Sequence, residues 1–327
     1  MTLSVTGRYA IITGGGSGAA ICNRVKITHT NYQVGINLAF ARKLLSRGCS
    51  VLIGDLGLRP EAQELLKQYP HNPSTAPSAA RPFAIFKKTD VTSWPQLSAL
   101  TKAAEAAFPQ IDIVVPGAGI FEPRWSSFWN PPKSPTNPDS PSRDEADAEP
   151  GHYAVLDVNL THPIRLGQLA IAHWTSRRIP GSLLVVGSMA GYVHGIGSPL
   201  YFASKHGVHG FVRSLGRLRD TVGIRTAAIA PGAVNTPLWS DDPDKNTMIS
   251  ADDIAASAED VADAMLELLE NPQYGDGTIF EATAKGTRVV PAFYAPPPDV
   301  ENGGISEYES EVARLWEKKI TQEGLKV

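Results

Sequence analysis

Short apolar runs alternate with longer amphipathic ones along this chain. Tyr9–Thr13 reads as a buried strand ending in glycines. Residues 36–48 follow with helical spacing, Leu38, Ala41, Leu44 and Leu45 sharing one face. Residues 50–54 form the next apolar strand, and 60–69 a helix with Pro60 suited to its first turn. The pattern continues with a weak strand over 84–86, a helix over 94–108 and a strand over 111–115. A long helix over 152–177, a strand over 182–186, a helix over 202–221 and a strand over 225–229 complete it. Strands alternating with helices predict an α/β fold whose parallel sheet is covered on both faces. No internal repeat is present.

Three segments break this rhythm. Residues 19–34 separate the first strand from its helix. Residues 123–150, rich in Pro, Ser and Asp, predict a long surface loop. Residues 291–300 contain Pro296-Pro297-Pro298, a stiff connector before a charged helix over 306–321. The strand–helix pattern resumes after the first Pro-rich stretch, so it marks no domain boundary. The expected organisation is one domain over residues 1–290, followed by a Pro-rich connector and C-terminal helix over 291–327.

Composition narrows the function classes. The 327 residues are 42% hydrophobic and 19% charged, with a net charge of −3, an ordinary globular balance. No basic run or stripe points to nucleic acid. No apolar run approaches the roughly 18 residues of a membrane span, and the N-terminus has no secretory core. Cys22 and Cys49 form no disulfide framework and have no metal-like neighbours. The expectation is a cytoplasmic protein without a metal.

Two ends of the pattern carry chemistry. Thr13-Gly14-Gly15-Gly16-Ser17-Gly18 follows the first strand. In a doubly wound fold such a turn lets the backbone approach a pyrophosphate, and the next helix presents its N-terminal N–H groups to phosphate. Asp55 closes the second strand, where a carboxylate can accept both adenosine ribose hydroxyls and repel a 2′-phosphate. That favours NAD over NADP; nearby Arg59 tempers the preference. Asp90-Val91 follows the third strand, placed either to meet the adenine or to cap the helix near Trp94.

At the other end, Tyr201 and Lys205 are four apart on a helix and share a face. A nearby ammonium lowers a tyrosine pKa and makes the phenol an acid or base near neutral pH. Such a spacing is common by chance. Upstream, Ser188 follows the strand over 182–186 and its Gly187, at the carboxyl edge where folds of this type bind ligands.

Taken together these residues resemble the short-chain dehydrogenase/reductase family. The matching pieces are Thr13 to Gly18 with Gly35, Asp55, Asp90, Pro116-Gly117-Ala118-Gly119, Asn159, Ser188-Met189-Ala190-Gly191, Tyr201 with Lys205, and Pro231-Gly232 with Thr236. The resemblance runs from Leu3 to about Ala284. It is similar in particular to the NAD-linked branch that includes 15-hydroxyprostaglandin dehydrogenase, and to fungal relatives. It implies a single doubly wound Rossmann domain with a parallel sheet of about seven strands and helices on both faces. It implies a catalytic set of Tyr201 as acid/base, Lys205 on the nicotinamide ribose, Ser188 on the substrate oxygen and Asn159 holding a relay water. The implied cofactor contacts are Thr13, Gly14, Gly16, Ser17, Gly18, Gly35, Ile36, Asp55, Asp90, Val91, Gly117, Ala118, Gly119, Tyr201, Lys205, Pro231, Gly232, Val234 and Thr236. The implied reaction moves a hydride between NAD(H) and the CH–OH or C=O carbon of a small hydrophobic alcohol or ketone. Trp125, Phe128 and Trp129 border the pocket, and residues 238–249, with Trp239 and Met248, form its lid. The helices over 152–177 and 202–221 are the family's dimer-forming surfaces, so a homodimer or homotetramer is implied, with a role in secondary metabolism.

Two departures stand out. The family's Asn-Asn-Ala-Gly is Pro116-Gly117-Ala118-Gly119 here, so the amides are absent. More disruptively, residues 19–34 split the glycine turn between Gly18 and Gly35. Removing most of this stretch restores an uninterrupted family match. Either it bulges outward with Gly18 and Gly35 adjacent, since closure entropy rises slowly with loop length, or it is translated intron. Thr30-Asn31-Tyr32-Gln33 can be encoded by ACTAACTATCAG, which resembles a branch site followed by an acceptor site. A chain with this interruption could also bind NAD with impaired or no catalysis.

Overall fold

A computed structural model describes residues 3–16, 35–75, 78–240, 255–293 and 307–326. Ser17, Gly18, the interruption over 19–34 and most of the expected lid lie outside them.

Most of the β-strands come where the sequence is apolar, and the last two where it is mixed. They are β1 (Tyr9–Thr13), β2 (Ser50–Asp55), β3 (Ala84–Lys88), β4 (Ile113–Val115), β5 (Gly181–Val186), β6 (Ile224–Pro231), β7 (Asp276–Thr283) and β8 (Gly286–Val289). They form one sheet in the order β3-β2-β1-β4-β5-β6-β7-β8. All pairings are parallel except β7–β8. The sheet therefore has one strand more than expected. The extra strand returns from β7 through a tight turn at Gly286 (φ +122°) and is exposed along its length. The Rossmann-type order reverses between β1 and β4, which opens a crevice at the carboxyl edge there.

The helices are α1 (Ile36–Ser46), α2 (Pro60–Gln68), α3 (Trp94–Ala107), α4 (Ala154–Leu156), α5 (His162–Arg177), α6 (Pro199–Ser214), α7 (Leu218–Val222), α8 (Pro237–Ser240), α9 (Ala258–Glu270) and α10 (Glu307–Glu323). Alternate strand residues feed two cores. Ile12, Val115 and Leu184 pack towards α1 and α9, while Ile11, Val114, Leu183 and Val185 pack towards α3, α5 and α6. The capping box Ser257/Asp260 starts α9. The alternation read from the sequence had left β7, β8 and α9 unassigned. The tail is not detached from the domain. Leu325 N–H donates to the Thr175 hydroxyl at 2.9 Å, and Ile320 and Leu325 pack against the core of the α5 side.

Two expected helices are broken, each for a visible reason. The one over 152–177 becomes α4, a π-turn at Asp157–Thr161, and α5. Pro163 has no N–H to give the Asn159 carbonyl four residues back, and its ring clashes with that carbonyl in regular α geometry. The one over 202–221 starts at Pro199 and ends at Ser214, because Gly216 lies against the backbone of β7. A Cβ there would sit 2.2 Å from the Asp276 carbonyl oxygen.

Candidate active site

The crevice is built from the carboxyl ends of β1, β2, β4, β5 and β6. Thr13, the last residue of β1, is fully buried. Its hydroxyl accepts the N–H of Gly117 at 3.0 Å and of Ala118 at 3.3 Å, and lies 3.0 Å from His162 Nε2. His162 Nδ1 faces the Val158 carbonyl at 3.0 Å, so the ring donates there and accepts from Thr13. Gly14 turns with φ +75°, and a Cβ there would sit 2.7 Å from Ala118 Cα, so β1 and the β4 turn touch through backbone alone.

Asp55 holds the glycine turn. Its carboxylate accepts Gly16 N–H at 2.8 Å and Leu56 N–H at 2.7 Å, and also Gly57 N–H. Burial pushes its pKa up, against the pull of those three bonds. A carboxylate offers about four acceptor positions, so about one remains for a ligand hydroxyl rather than the two expected. Gly16 is pressed against the β2 turn, a Cβ there lying 2.1 Å from the Gly57 oxygen. Gly35 is the N-cap of α1, directly before Ile36. Asp90 caps its own turn: its carboxylate accepts Thr92 N–H at 2.9 Å and the Thr92 hydroxyl at 2.7 Å, while Val91 is buried behind it. The N-cap of α3 is Ser93, without a side-chain bond, so the Asp90 carboxylate shapes the turn before that helix rather than capping it. A recess of about 470 Å³ opens beside Val91, Trp94, His152 and His162; Tyr201 and Ser188 do not line it.

At the catalytic end Ser188, in extended backbone after β5, accepts Ala190 N–H at 3.1 Å and lies beside the Tyr201 phenol. The ring of Phe121 lies 4.7 Å from that of Tyr201. Lys205 is buried, donates to the Val186 carbonyl at 3.0 Å and stands 5.7 Å from the Tyr201 ring centre. Burial lowers the Lys205 pKa to about 8. Burial also pushes the Tyr201 pKa up, Ser188 pulling the other way. Desolvation therefore sets the direction of the Tyr201 shift, opposite to the lowering expected from Lys205. The Asn159 side chain is committed elsewhere. It donates to the Ile120 carbonyl at 2.7 Å and accepts Ile120 N–H at 2.9 Å, which fixes Gly119 beneath Lys205. Any water held by Asn159 is left to its main-chain carbonyl, which Pro163 deprives of its α-helical donor.

The β6 turn completes the floor. Gly232 N–H donates to Ala282, and a Cβ on Gly232 would sit 3.1 Å from Met189 Sδ, bringing this turn against the Ser188 segment. Pro231, Val234 and Thr236 follow, Val234 and Thr236 both buried.

One residue at this site escapes motif reading. Glu122 is buried and accepts Tyr201 N–H at 2.9 Å through one oxygen; the other takes the Ser127 hydroxyl at 2.9 Å and Phe128 N–H at 2.8 Å. A single carboxylate thus ties the first turn of α6 to residues 123–150. That segment is not a loose loop: Ser126 and Asp144 are buried and accept the N–H groups of Val155 and Ala154. Phe128 and Trp129 are exposed on its rim, and Trp129 Nε1 donates to the Ile196 carbonyl at 2.7 Å. The signal in the sequence is only an acid beside the glycines of the β4 turn.

Two buried histidines near Lys205 set an acid limit. Burial, and then the charge of Lys205, lowers His209 to about 3; burial lowers His162 to about 4. Unfolded histidine titrates near 6.5, so below that pH the unfolded chain binds more protons and stability falls as pH drops towards those values. The melting temperature is expected to fall between about pH 7 and about pH 5, with a shallower slope for His209→Gln. Equal slopes for the two proteins in a circular-dichroism melt series would remove His209 from this account.

Among the described residues no helix is long and apolar enough to cross a membrane, and no group of His, Cys, Asp or Glu is arranged to hold a metal. The short chain dehydrogenase family matches residues 26–247, starting within the interruption and leaving β1 and the first glycines outside the match. The chain is 31% identical over 253 residues to cis-4-hydroxycyclohexanecarboxylate dehydrogenase of Sinomonas cyclohexanicum, covering 76% of this chain and 90% of that protein. It is 29% identical over 232 residues to the short-chain dehydrogenase/reductase prx4 of Penicillium roqueforti, covering 71% of this chain but only 56% of that protein. A crystal structure of a short-chain type dehydrogenase/reductase from Mycobacterium marinum superposes with a TM-score of 0.64 at 18% identity, covering 86% of this chain and 96% of that one. With its Rossmann sheet, its carboxyl-edge crevice and these matches, the chain belongs to the short-chain dehydrogenase/reductase family of oxidoreductases.

Proposed function

We propose that this chain is an NAD-linked oxidoreductase acting on the CH–OH or C=O group of a small hydrophobic alcohol or ketone. The observation that carries the reading is the buried Lys205 ammonium, tied to the Val186 carbonyl at the sheet edge and 5.7 Å from the Tyr201 ring centre, with Ser188 beside that phenol. The nicotinamide, when bound, gives or takes the hydride. Tyr201 exchanges the proton with the substrate oxygen, and Ser188 donates a hydrogen bond to that oxygen as charge develops. Lys205 holds the nicotinamide ribose, with Asn159 behind it and Thr236 on the carboxamide. The remaining acceptor position of Asp55 takes a ribose hydroxyl and disfavours a 2′-phosphate, which gives NAD precedence over NADP. The glycines fit such a cofactor: Gly14 and Gly16 have no room for side chains, and Gly119 faces Lys205.

Residues 1–290 form the catalytic domain in this reading, and 291–327 the connector and docked helix. Exposed Phe128 and Trp129 make a rim suited to an apolar substrate. Likeness to the 15-hydroxyprostaglandin dehydrogenase branch, a fungal origin, a role in secondary metabolism, cytoplasmic location and assembly into a homodimer or homotetramer belong to the same proposal. Similarity to a Penicillium reductase supports the fungal part. The test is nicotinamide absorbance with NAD(H) and NADP(H) across hydrophobic alcohols and ketones. Turnover favouring NAD(H) supports the reading; none with either cofactor, despite NADH binding, selects a non-catalytic NAD-binding protein. The split between Gly18 and Gly35 favours that second reading.

Glu122→Gln removes one acceptor from the clamp between α6 and residues 123–150. Hydrogen bonds to charged groups contribute about 1.5–3 kcal/mol, so kcat is expected to fall roughly tenfold or more while the KM for NAD stays near wild type. A rise in cofactor KM with kcat intact would show that Glu122 does not position Tyr201.

A further inference from the structure

The two departures from the family pattern meet at one contact. Asn37, in the first turn of α1, is buried, and its Nδ2 donates to the Gly117 carbonyl at 2.8 Å. A Cβ on Gly117 would lie 2.3 Å from Asn37 Oδ1 and 2.6 Å from its Cγ and Nδ2. The Asn37 amide therefore fills the volume that a side chain at position 117 would occupy. The same amide comes within 3.0 Å of a Cβ built on Gly14. Asn37 makes no cap for its own helix, whose N-cap is Gly35 with no side-chain bond. Its Oδ1 is buried without a hydrogen-bond partner among the described residues, so the side chain is held through its Nδ2 bond to Gly117.

The β4 turn is thus gripped from two sides. Thr13 takes the N–H groups of Gly117 and Ala118, and Asn37 takes the Gly117 carbonyl. We propose that Asn37 is a cofactor-positioning residue that supplies from α1 the amide missing from Pro116-Gly117. This tie fixes the helix N-terminus, which faces phosphate, to Ala118-Gly119, beside Lys205. It does so without using residues 19–34, so the second half of the split turn keeps its place whatever path those residues take. The inference rests on reading the crevice as the nucleotide site.

The test exchanges the two residues in the full chain: Asn37→Gly, Gly117→Asn, and both together. Residues in contact give non-additive effects. Gly117→Asn alone is expected to weaken NADH binding at least about tenfold and lower the melting temperature, because the new side chain collides with Asn37. Asn37→Gly weakens binding several-fold, and the double variant returns to within about threefold of wild type. Asn37→Asp, which keeps the shape but removes the donor, is expected to weaken NADH binding at least about fivefold, and it keeps the proposal testable if Gly117→Asn fails to fold. The proposal is overturned if the double variant binds no better than Gly117→Asn, or if Asn37→Asp binds NADH like wild type. Wild-type protein that binds neither NADH nor NADPH refutes the nucleotide reading instead, and the coupling in melting temperature still reports on the contact.

Discussion

Tyr201→Phe is expected to abolish turnover while leaving NAD(H) affinity within a factor of about two. General acid–base catalysis contributes typically 10²–10⁴-fold, and in the proposed reaction the phenol carries the proton. Phe keeps the ring, and with it the packing against Phe121. It loses the hydroxyl beside Ser188, whose bond from Ala190 N–H remains. Backbone bonds to the Tyr201 main chain, including that from its N–H to Glu122, are untouched. The proposed cofactor contacts at Thr13, Gly14 and Asp55 lie on other strands, at the ends of β1 and β2. The measurement pairs steady-state nicotinamide absorbance with NADH fluorescence titration. Wild-type turnover by the variant would remove Tyr201 from the chemistry.

Joining Gly18 to Gly35 through Ala19 alone, by deleting residues 20–34, is expected to tighten NADH binding at least about tenfold. The two halves of the glycine turn are held separately. Gly14 N–H donates to Gly54, Gly16 N–H to Asp55, and Arg59 N–H to the Gly16 carbonyl, while α1 is tied to Gly117 by Asn37. Phosphate binding needs N–H groups from both halves converging on one anion. Each charge-assisted bond restored contributes about 1.5–3 kcal/mol, so one bond accounts for a tenfold gain. Unchanged affinity would mark the stretch as a harmless bulge. Sequencing the mature transcript tests its origin: spliced message that retains the stretch defeats the intron explanation.

Much of the fold was legible because its signals are local. A five-residue apolar run such as Tyr9–Thr13 is too short for a typical helix and ends in glycines, which together read as a buried strand. The helix spacing of Leu38, Ala41, Leu44 and Leu45 fixes which face of α1 meets the sheet, and all four are fully buried or nearly so. The eighth strand was not legible. Gly286–Val289 is exposed on every residue, and its pairing partner Phe280–Thr283 defines it rather than its own pattern. The π-turn at Asp157–Thr161 has a local cause in Pro163, yet helical periodicity runs through it undisturbed.

At the site the division is sharper. Tyr201 and Lys205 could be paired from spacing, because four residues make one helical turn. Spacing gives the shared face but not the surroundings, and burial of both groups changed the expected direction of the Tyr201 pKa. Glu122 and Asn37 carry no motif, since each acts on a segment remote in sequence, Tyr201 and Gly117. The sequence by itself determined the strand–helix order up to β6, the family and the shared helix face of Tyr201 and Lys205, because these follow from local periodicity and short-range spacing. Only the tertiary structure decided which carbonyls and N–H groups those side chains reach. It also decided how many acceptor positions Asp55 keeps and how the missing amides of Pro116-Gly117 are replaced. Hydrogen-bond satisfaction and desolvation depend on what the chain brings together across the crevice, and no local pattern records that.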